Sequence, residues 1–297
     1  MKFTISSVLK AATSAAAILL TLSASQVSAL PAPNLAKRSN SDDLAGLNNY
    51  SCKLTAAHPR PVVLIHGTTL SINSWTDFVP VMVKRGYCVF GLTYGIYPPL
   101  TSFGGLAPIE DSAREVGNFI NDVLAKMNVT QVDVVGHSQG GIIARYWMKY
   151  LDGAGKVNTH VGVSPINHGT TLDGIATLGK ALGIFTTVQP LFDSVAPSLF
   201  EMVTNSAFMN KLNEGSDIVP GVTFANIATK LDEIVTPYKN CYQNDAGVTN
   251  ALLQDFCAVD LTEHIFMPES SVVLQFVLNQ LSPSTAVRPN CFSGLVL

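Results

Sequence analysis

Charged residues are scarce in this sequence, because Asp, Glu, Lys and Arg together make up only 13% of its 297 residues. Hydrophobic residues make up 47%, which supplies a large core and excludes a disordered chain or a coiled coil. The net charge of −3 provides no excess of basic residues, so nucleic acid is not expected as a partner. Internal repeats and low-complexity segments are also missing. The composition is typical of a globular protein, and a single α/β domain can accommodate a chain of this length.

The N-terminal segment has the features of a secretory signal peptide. Residues 1–29 contain two early lysines, an apolar run from Ala11 to Leu22 and small residues at the end. The apolar run is too short to span a membrane, so no transmembrane segment is expected. The sequence therefore predicts a secreted, extracellular protein.

A short propeptide is predicted after the signal peptide. Residues 30–38 end in Lys37 and Arg38, which resemble the dibasic site cut by processing proteases of the fungal secretory route. A chance pair of basic residues in a flexible leader is the alternative. Cleavage after Arg38 would remove four basic residues and no acidic one, so residues 39–297 would form a more acidic mature domain. Such a charge argues against nucleic acid and anionic lipid as partners.

The five cysteines lie beyond this leader and show no CxxC or Cys/His spacing of a metal site. In an oxidising compartment most of them would be paired. Cys52 and Cys88 flank the first predicted strand and helix, and Cys241 and Cys257 bracket a polar loop. We predict these two disulfides, with Cys291 unpaired, as one of several arrangements that five cysteines allow.

Two sequons for N-glycosylation follow the leader as well. They begin at Asn49 and at Asn128, and they have meaning only in a secreted eukaryotic protein. Chance matches to this motif are common.

Short apolar strands alternate with amphipathic helices from Arg60 onward. Strands are predicted at Val62–Ile65, Tyr87–Leu92, Val132–Val135, Val161–Val163 and Val222–Ile227. Helices are predicted from Pro108 to Met127, from Ile142 to Leu151, and through Val273, Val277 and Leu281 up to Ser282-Pro283. This order predicts an α/β fold in which a mostly parallel sheet carries helices on both faces.

One segment interrupts the alternation. Residues 169–220 are rich in Leu, Phe, Ile, Ala and Gly and carry few charges. We interpret them as a small helical cap, or lid, above the sheet. The alternative is a set of ordinary core helices.

The motif with the clearest chemical meaning is Gly136-His137-Ser138-Gln139-Gly140, a G-x-S-x-G sequence between an apolar strand and an apolar helix. This context is that of a nucleophile elbow, a tight turn that exposes the serine hydroxyl. The following helix directs free N–H groups and a positive dipole end at any anion formed there. A glycine-rich turn without a catalytic role is the alternative.

A nucleophilic serine needs a histidine base and a carboxylate that orients it. In elbow hydrolases the order is Ser, then Asp or Glu, then His, which excludes His58, His66 and His137. His160 and His168 precede the strand after which the acid is expected, so His264 remains. Asp232 follows that strand and is the predicted acid.

Two other carboxylates are rivals for the role of the acid. Glu233 is adjacent to Asp232 in sequence, and Asp260 lies near His264. A solvated loop charge is the alternative interpretation for each of them.

The reaction also needs an oxyanion hole, which consists of donors aimed at the developing negative charge. The backbone N–H of Gln139 is one predicted donor, because it follows the serine. The N–H of Thr68, in the loop after the first strand, is the other, and the Thr68 hydroxyl is a third candidate.

Four segments together resemble the secreted class 2 lipases of the α/β-hydrolase superfamily, known from fungi and actinobacteria. They are Val62 to Thr68, Gly136 to Gly141, Asp232 to Pro237 and Glu263-His264, within a resemblance that extends from about Cys52 to Leu281. The resemblance implies an α/β-hydrolase fold and supports the two proposed disulfides.

The resemblance also implies roles for individual residues. Ser138 would be the nucleophile, Asp232 the acid and His264 the base, with Thr68 and Gln139 as oxyanion donors. His137 would be a packing residue. Such enzymes need no cofactor and no metal.

The sequence thus predicts a secreted serine lipase that hydrolyses acylglycerol esters and contacts a lipid interface transiently. We expect a monomer. A carboxylesterase, a polyester or cutin hydrolase or an acyltransferase would carry the same triad. A noncatalytic binding protein with an α/β-hydrolase fold is the alternative from another class.

Overall fold

Six parallel strands form the central sheet in the order β2-β1-β3-β4-β5-β6. They are β1 Val62–Ile65, β2 Val89–Gly91, β3 Val132–His137, β4 Val157–Val163, β5 Thr223–Ala228 and β6 Thr249–Leu252. In the register, Val63 pairs with Val134 and Val161 pairs with Ala225. The strands from β1 to β5 are almost entirely buried, as expected for a parallel sheet covered on both faces.

The computed structural model describes residues 44–181 and 196–291, all of which belong to one compact unit, residues 39–297. The predicted signal peptide (1–29) and propeptide (30–38) lie outside the described residues, as do residues 182–195 of the predicted cap. None of the helices within this part of the chain is sufficiently long and apolar to cross a membrane.

Eight α-helices occur in the described part of the chain. They are α1 Phe78–Lys84, α2 Ile109–Met127, α3 Gln139–Tyr150, α4 Leu172–Ala181, α5 Pro197–Glu201, α6 Ala207–Leu212, α7 Leu253–Phe256 and α8 Ser271–Leu281. Short 3-10 turns lie at Ile72–Trp75, Tyr238–Cys241, Met267–Glu269 and Pro283–Thr285.

The sheet separates two hydrophobic cores, because successive strand side chains point to opposite faces. Val63 of β1 packs in the core that contains α2 and α3. Its neighbour Leu64 packs in the core that contains α1 and α8. The predicted α/β architecture is therefore confirmed, with helices on both faces of the sheet.

Most elements match the sequence prediction, and one strand was missed. Helix α2 begins directly after Pro108, which favours a helix start because its fixed φ suits that position. The missed strand is β6, whose sequence Thr-Asn-Ala-Leu is polar and whose first two residues are exposed. It has no apolar alternation, and its backbone pairing with β5 defines it.

Cys52 and Cys88 form a disulfide with their Cα atoms 5.7 Å apart. The predicted Cys241–Cys257 disulfide is wrong, because Cys257 is bonded to Cys291 and Cys241 is a buried free thiol. The physical reason is the sheet itself. Cys241 lies in the core on the α2 and α3 side, whereas Cys257 lies in the core on the α1 and α8 side.

Candidate active site

Ser138 lies at the turn between β3 and α3 and has a positive φ of 55°. Such backbone values are uncommon and costly for a residue other than glycine, and they cluster at functional sites. Two hydrogen bonds hold the turn. The Ser138 N–H donates to the Val163 carbonyl at 3.0 Å, and the Ser138 carbonyl accepts from the Gly141 N–H at 3.0 Å.

The turn requires glycine on both sides of Ser138. A Cβ atom at Gly136 would collide with the carbonyl oxygen of Gly140, and a Cβ atom at Gly140 would collide with the carbonyl oxygen of Ile65. The obstacles are backbone atoms, which cannot move aside as a flexible side chain can. The G-x-S-x-G spacing thus allows α3 to start directly against the ends of β1 and β3.

Ser138, His264 and Asp232 are joined by two hydrogen bonds. His264 Nε2 lies 2.9 Å from Ser138 Oγ, and His264 Nδ1 lies 2.8 Å from Asp232 Oδ2. All three residues are buried. The structure therefore brings together three residues that span 126 positions of the sequence, in the hydrogen-bonded order expected of a serine hydrolase.

Two backbone donors hold the Asp232 carboxylate. Its Oδ1 accepts from the N–H groups of Ile234 at 3.1 Å and Val235 at 2.6 Å. This leaves Oδ2 directed at the imidazole. The turn after β5 thereby fixes both the position and the rotation of the carboxylate.

The rival carboxylates have other contacts. Glu233 accepts from the backbone N–H of His264 at 3.3 Å. Asp260 accepts from the backbone N–H of Thr262 at 2.9 Å. Neither makes the bond to His264 Nδ1, which Asp232 makes.

Opposing effects act on the pKa of His264. Burial alone would lower this pKa, but the nearby negative charges of Asp232, Glu233 and Glu263 outweigh it and raise the pKa above its usual value. The pKa of Glu263 itself is raised to about 7 by burial and by its contact with Glu233. Nearby carboxyl groups therefore favour the protonated form of His264.

His137 packs against His264, the predicted base. Its ring lies 5.0 Å from that of His264, and its Nε2 donates to the His264 carbonyl oxygen at 3.0 Å. Burial, together with the neighbouring His264, keeps the pKa of His137 well below its usual value. A neutral His137 thus supports the backbone of the loop that carries His264.

The two residues predicted to supply the oxyanion donors lie close to Ser138. Thr68 lines the same cavity as Ser138, and Gln139 is the first residue of α3. Among the described residues, the backbone N–H groups of Thr68 and Gln139 have no hydrogen-bond acceptor. The Thr68 hydroxyl, the third candidate, instead contacts Met202 Sδ at 3.6 Å.

The cavity at Ser138 is small, with a volume of about 10 Å³. Its lining consists of Gly67, Thr68, Thr69, Leu70, His137, Ser138, Leu178, His264 and Ile265. Leu178 belongs to α4, which lies in the predicted cap. Helix α4 therefore contributes a side chain to the wall of the cavity at Ser138.

The surroundings of two other histidines, His160 and His168, differ from those of His264. Both ring nitrogens of the fully buried His160 have no hydrogen-bond partner among the described residues, and burial lowers the pKa of His160 to about 3. His168 contacts Asp217 at 3.1 Å. From 44 to 181 and from 196 to 291, no group of three His, Cys, Asp or Glu side chains is arranged to hold a metal ion.

Sequence reasoning missed three residues next to the site. Leu178 and Met202 come from the apolar segment 169–220, where periodicity gives no contact partner. Tyr94 lies in the loop after β2 and contacts Gln139. Only the folded structure brings these three residues close to the site, so no sequence motif predicts them.

Comparisons with solved structures show the fold. Aspergillus fumigatus lipase B is 22% identical, with 78% of this chain and 54% of that chain covered and a TM-score of 0.60. The mature form of the Bacillus licheniformis lipase BlEst2 is 16% identical, with 77% and 94% covered and a TM-score of 0.58. The esterase RhEst1 from Rhodococcus sp. ECU1013 is 17% identical, with 77% and 91% covered and a TM-score of 0.52. The predicted α/β-hydrolase fold is confirmed.

A curated relative matches only in part. The non-heme chloroperoxidase CPO-A1 of Kitasatospora aureofaciens is 32% identical over 110 residues, which are 36% of this chain and 37% of that protein. The chain thus spans little more than a third of this relative and about half of the Aspergillus lipase.

A family profile covers far more of the chain. The profile described as Lipase (class 2) matches residues 59–277, about three quarters of the sequence, and this range contains every residue of the site described above. The chain therefore belongs to the class 2 lipase family.

Proposed function

We propose that this protein is a serine carboxylic ester hydrolase with Ser138 as nucleophile, His264 as base and Asp232 as acid. The observation that carries the proposal is the continuous hydrogen-bonded chain from Ser138 Oγ through the imidazole to Asp232, with distances of 2.9 and 2.8 Å. Membership in the class 2 lipase family supports it.

In the proposed reaction, Ser138 Oγ attacks the ester carbonyl carbon while its proton moves to His264 Nε2. Asp232 stabilises the imidazolium through Nδ1. The carbonyl oxygen becomes negative and accepts hydrogen bonds from the backbone N–H groups of Thr68 and Gln139, each worth about 3 kcal/mol in the transition state. The imidazolium then protonates the leaving alcohol. Water repeats these steps on the acyl-enzyme and releases the acid.

Acylglycerols are the proposed substrates, and a lipid interface is the proposed transient partner. The cavity at Ser138 has apolar walls that include Leu70, Leu178 and Ile265. Large apolar side chains are also exposed close to the site in sequence, with Leu231 beside the acid and Leu261 three residues before the base. Such a surface favours contact with lipid. We also propose that residues 169–220 act as the cap, because a cavity of about 10 Å³ must enlarge before an acyl chain can enter.

We also propose that the protein is exported to an oxidising compartment. The two disulfides support it, because such bonds persist mainly outside the cytosol. Asn49 and Asn128 are both exposed, which is compatible with glycosylation of each sequon.

Hydrolysis of a soluble ester tests the proposed chemistry. Wild type should cleave p-nitrophenyl butyrate, and Ser138→Ala should lose at least about 10⁴-fold in kcat. Ser112→Ala is the matched control, because Ser112 has a buried hydroxyl in α2 without a hydrogen-bond partner among the described residues. It should keep wild-type activity. Full activity in Ser138→Ala would refute the proposal.

Rates measured against acyl length test the substrate. Activity on an emulsified long-chain triacylglycerol should exceed activity on dissolved acetate and butyrate esters, and it should rise when the emulsion forms. Equal or better rates on the short, dissolved esters would instead assign the protein to the carboxylesterases.

A further inference from the structure

Tyr94 lies between the two segments that carry the proposed oxyanion donors. Its hydroxyl oxygen is 2.9 Å from the backbone carbonyl of His66 and 2.9 Å from Oε1 of the Gln139 side chain. The whole residue is buried. Both neighbours are acceptors, so the single hydroxyl proton serves both, and one side chain links the loop after β1 to the start of α3.

The hydrogen bonds of the His66 ring determine the direction of the Thr68 N–H. His66 Nε2 accepts from the Tyr94 N–H at 3.2 Å, so the ring proton of the neutral imidazole is on Nδ1 and donates to the Gly67 carbonyl at 2.7 Å. Burial lowers the pKa of His66 to about 4, which keeps the ring neutral. The Gly67 carbonyl and the Thr68 N–H belong to one planar trans peptide and point in opposite directions. Fixing that carbonyl therefore fixes the donor.

Tyr94 also holds the side chain of Gln139 in place. The Gln139 side chain receives the Tyr94 hydroxyl proton at Oε1 and donates from Nε2 to the Gly105 carbonyl at 3.0 Å. The Gly105 N–H in turn donates to the Tyr94 carbonyl at 2.7 Å. This closed set of contacts restrains the residue that follows Ser138, and thus its backbone N–H.

We propose that Tyr94 is a positioning residue that sets the separation of the two oxyanion donors, the N–H groups of Thr68 and Gln139. The inference rests on the proposed function. Tyr94 is not among the residues that line the cavity at Ser138, and its hydroxyl bonds to His66 and Gln139, so it acts through those two residues. Because the donors bind charge that develops only in the transition state, loosening them lowers kcat and leaves KM unchanged.

Tyr94→Phe removes only the hydroxyl and keeps the ring stacked near His66, whose centroid is 4.4 Å away. With p-nitrophenyl butyrate, we expect kcat to fall about tenfold and KM to stay within about twofold, since removal of a complete donor costs about 10²–10³. The affinity for an alkylboronic acid, which mimics the tetrahedral intermediate, should fall by a similar factor.

Tyr87→Phe is the matched control, because its buried hydroxyl bonds to Ser282 instead. It should leave kcat and boronic acid affinity unchanged. Gln139→Met is the second variant, which removes the side-chain amide but keeps the backbone donor. It should reproduce the loss in kcat even if Tyr94→Phe does not fold.

The results separate the two proposals. If Tyr94→Phe folds and keeps both its kcat and its boronic acid affinity, the inference is wrong while the esterase proposal stands. A loss of kcat without a loss of boronic acid affinity also overturns it. If wild type itself fails to hydrolyse any ester, the proposed function fails first.

Discussion

The hydrogen bonds of His264 define the site at the scale of single residues. One ring nitrogen faces Ser138, the other faces Asp232, and the His264 carbonyl accepts from His137. The ring therefore has a single orientation and a single useful tautomer, with the proton on Nδ1. Sequence order predicts His264 as the base among six histidines, whereas the support from His137 depends on packing.

Asp232→Asn should lower kcat by about 10³–10⁴-fold with little change in KM, because the amide would favour the wrong tautomer of the base. Steady-state kinetics on a soluble ester measure this. Asp260→Asn is the control, since an asparagine oxygen can still accept from Thr262. Equal losses in the two variants would contradict the assignment of Asp232.

The pH dependence of kcat/KM should show the raised pKa of His264, because only the neutral imidazole accepts the serine proton. Activity should fall as the pH drops through this pKa. Glu263→Gln removes a negative charge that raises the pKa of His264, so the acid limb should move to lower pH. Asp255→Asn removes an exposed charge that does not act on His264 and should not move it. A limb that stays in place in Glu263→Gln would refute this electrostatic account.

At the scale of elements, the site depends on how closely α3 approaches the strands. The G-x-S-x-G motif predicted the turn because its glycines are a steric requirement of backbone atoms. Strands β1 to β5 were predictable because each contains a short run of apolar residues, which the fold buries. Strand β6 was not predictable, because pairing with β5 rather than its own side chains makes it a strand.

Gly140→Ala should destabilise the fold by about 3 kcal/mol, because its Cβ would meet the Ile65 carbonyl in a closely packed region. Gly155→Ala is the control. Its Cβ would meet nothing within 4 Å, and its φ of +78° costs about 1 kcal/mol. Urea unfolding followed by circular dichroism gives both values. A smaller loss of stability in Gly140→Ala than in Gly155→Ala would contradict the steric explanation.

In the described part of the chain, the sheet has a separate core on each face, and this division explains which cysteines pair. Sequence spacing suggested Cys241 with Cys257, but the two residues pack on opposite faces. Only the three-dimensional arrangement places Cys291 within disulfide distance of Cys257. The identity of the fold was predictable from local motifs, whereas such long-range proximity was not.

Cys291→Ser should lower the free energy of unfolding by about 3 to 4 kcal/mol, because the lost disulfide closes a loop with a sequence separation of 34. The loop includes His264 and α8. Cys241→Ala breaks no disulfide and should cost about 1 kcal/mol. Urea unfolding under non-reducing conditions distinguishes them. A larger loss in Cys241→Ala would contradict the observed pairing.

Covalent labelling with a serine-directed reagent tests whether His264 activates Ser138. Wild type should react with a fluorophosphonate, and peptide mass spectrometry should find the adduct on Ser138 alone. The label should be absent from Ser138→Ala and greatly slowed in His264→Ala. An adduct on another serine, or an unlabelled folded wild type, would contradict the account.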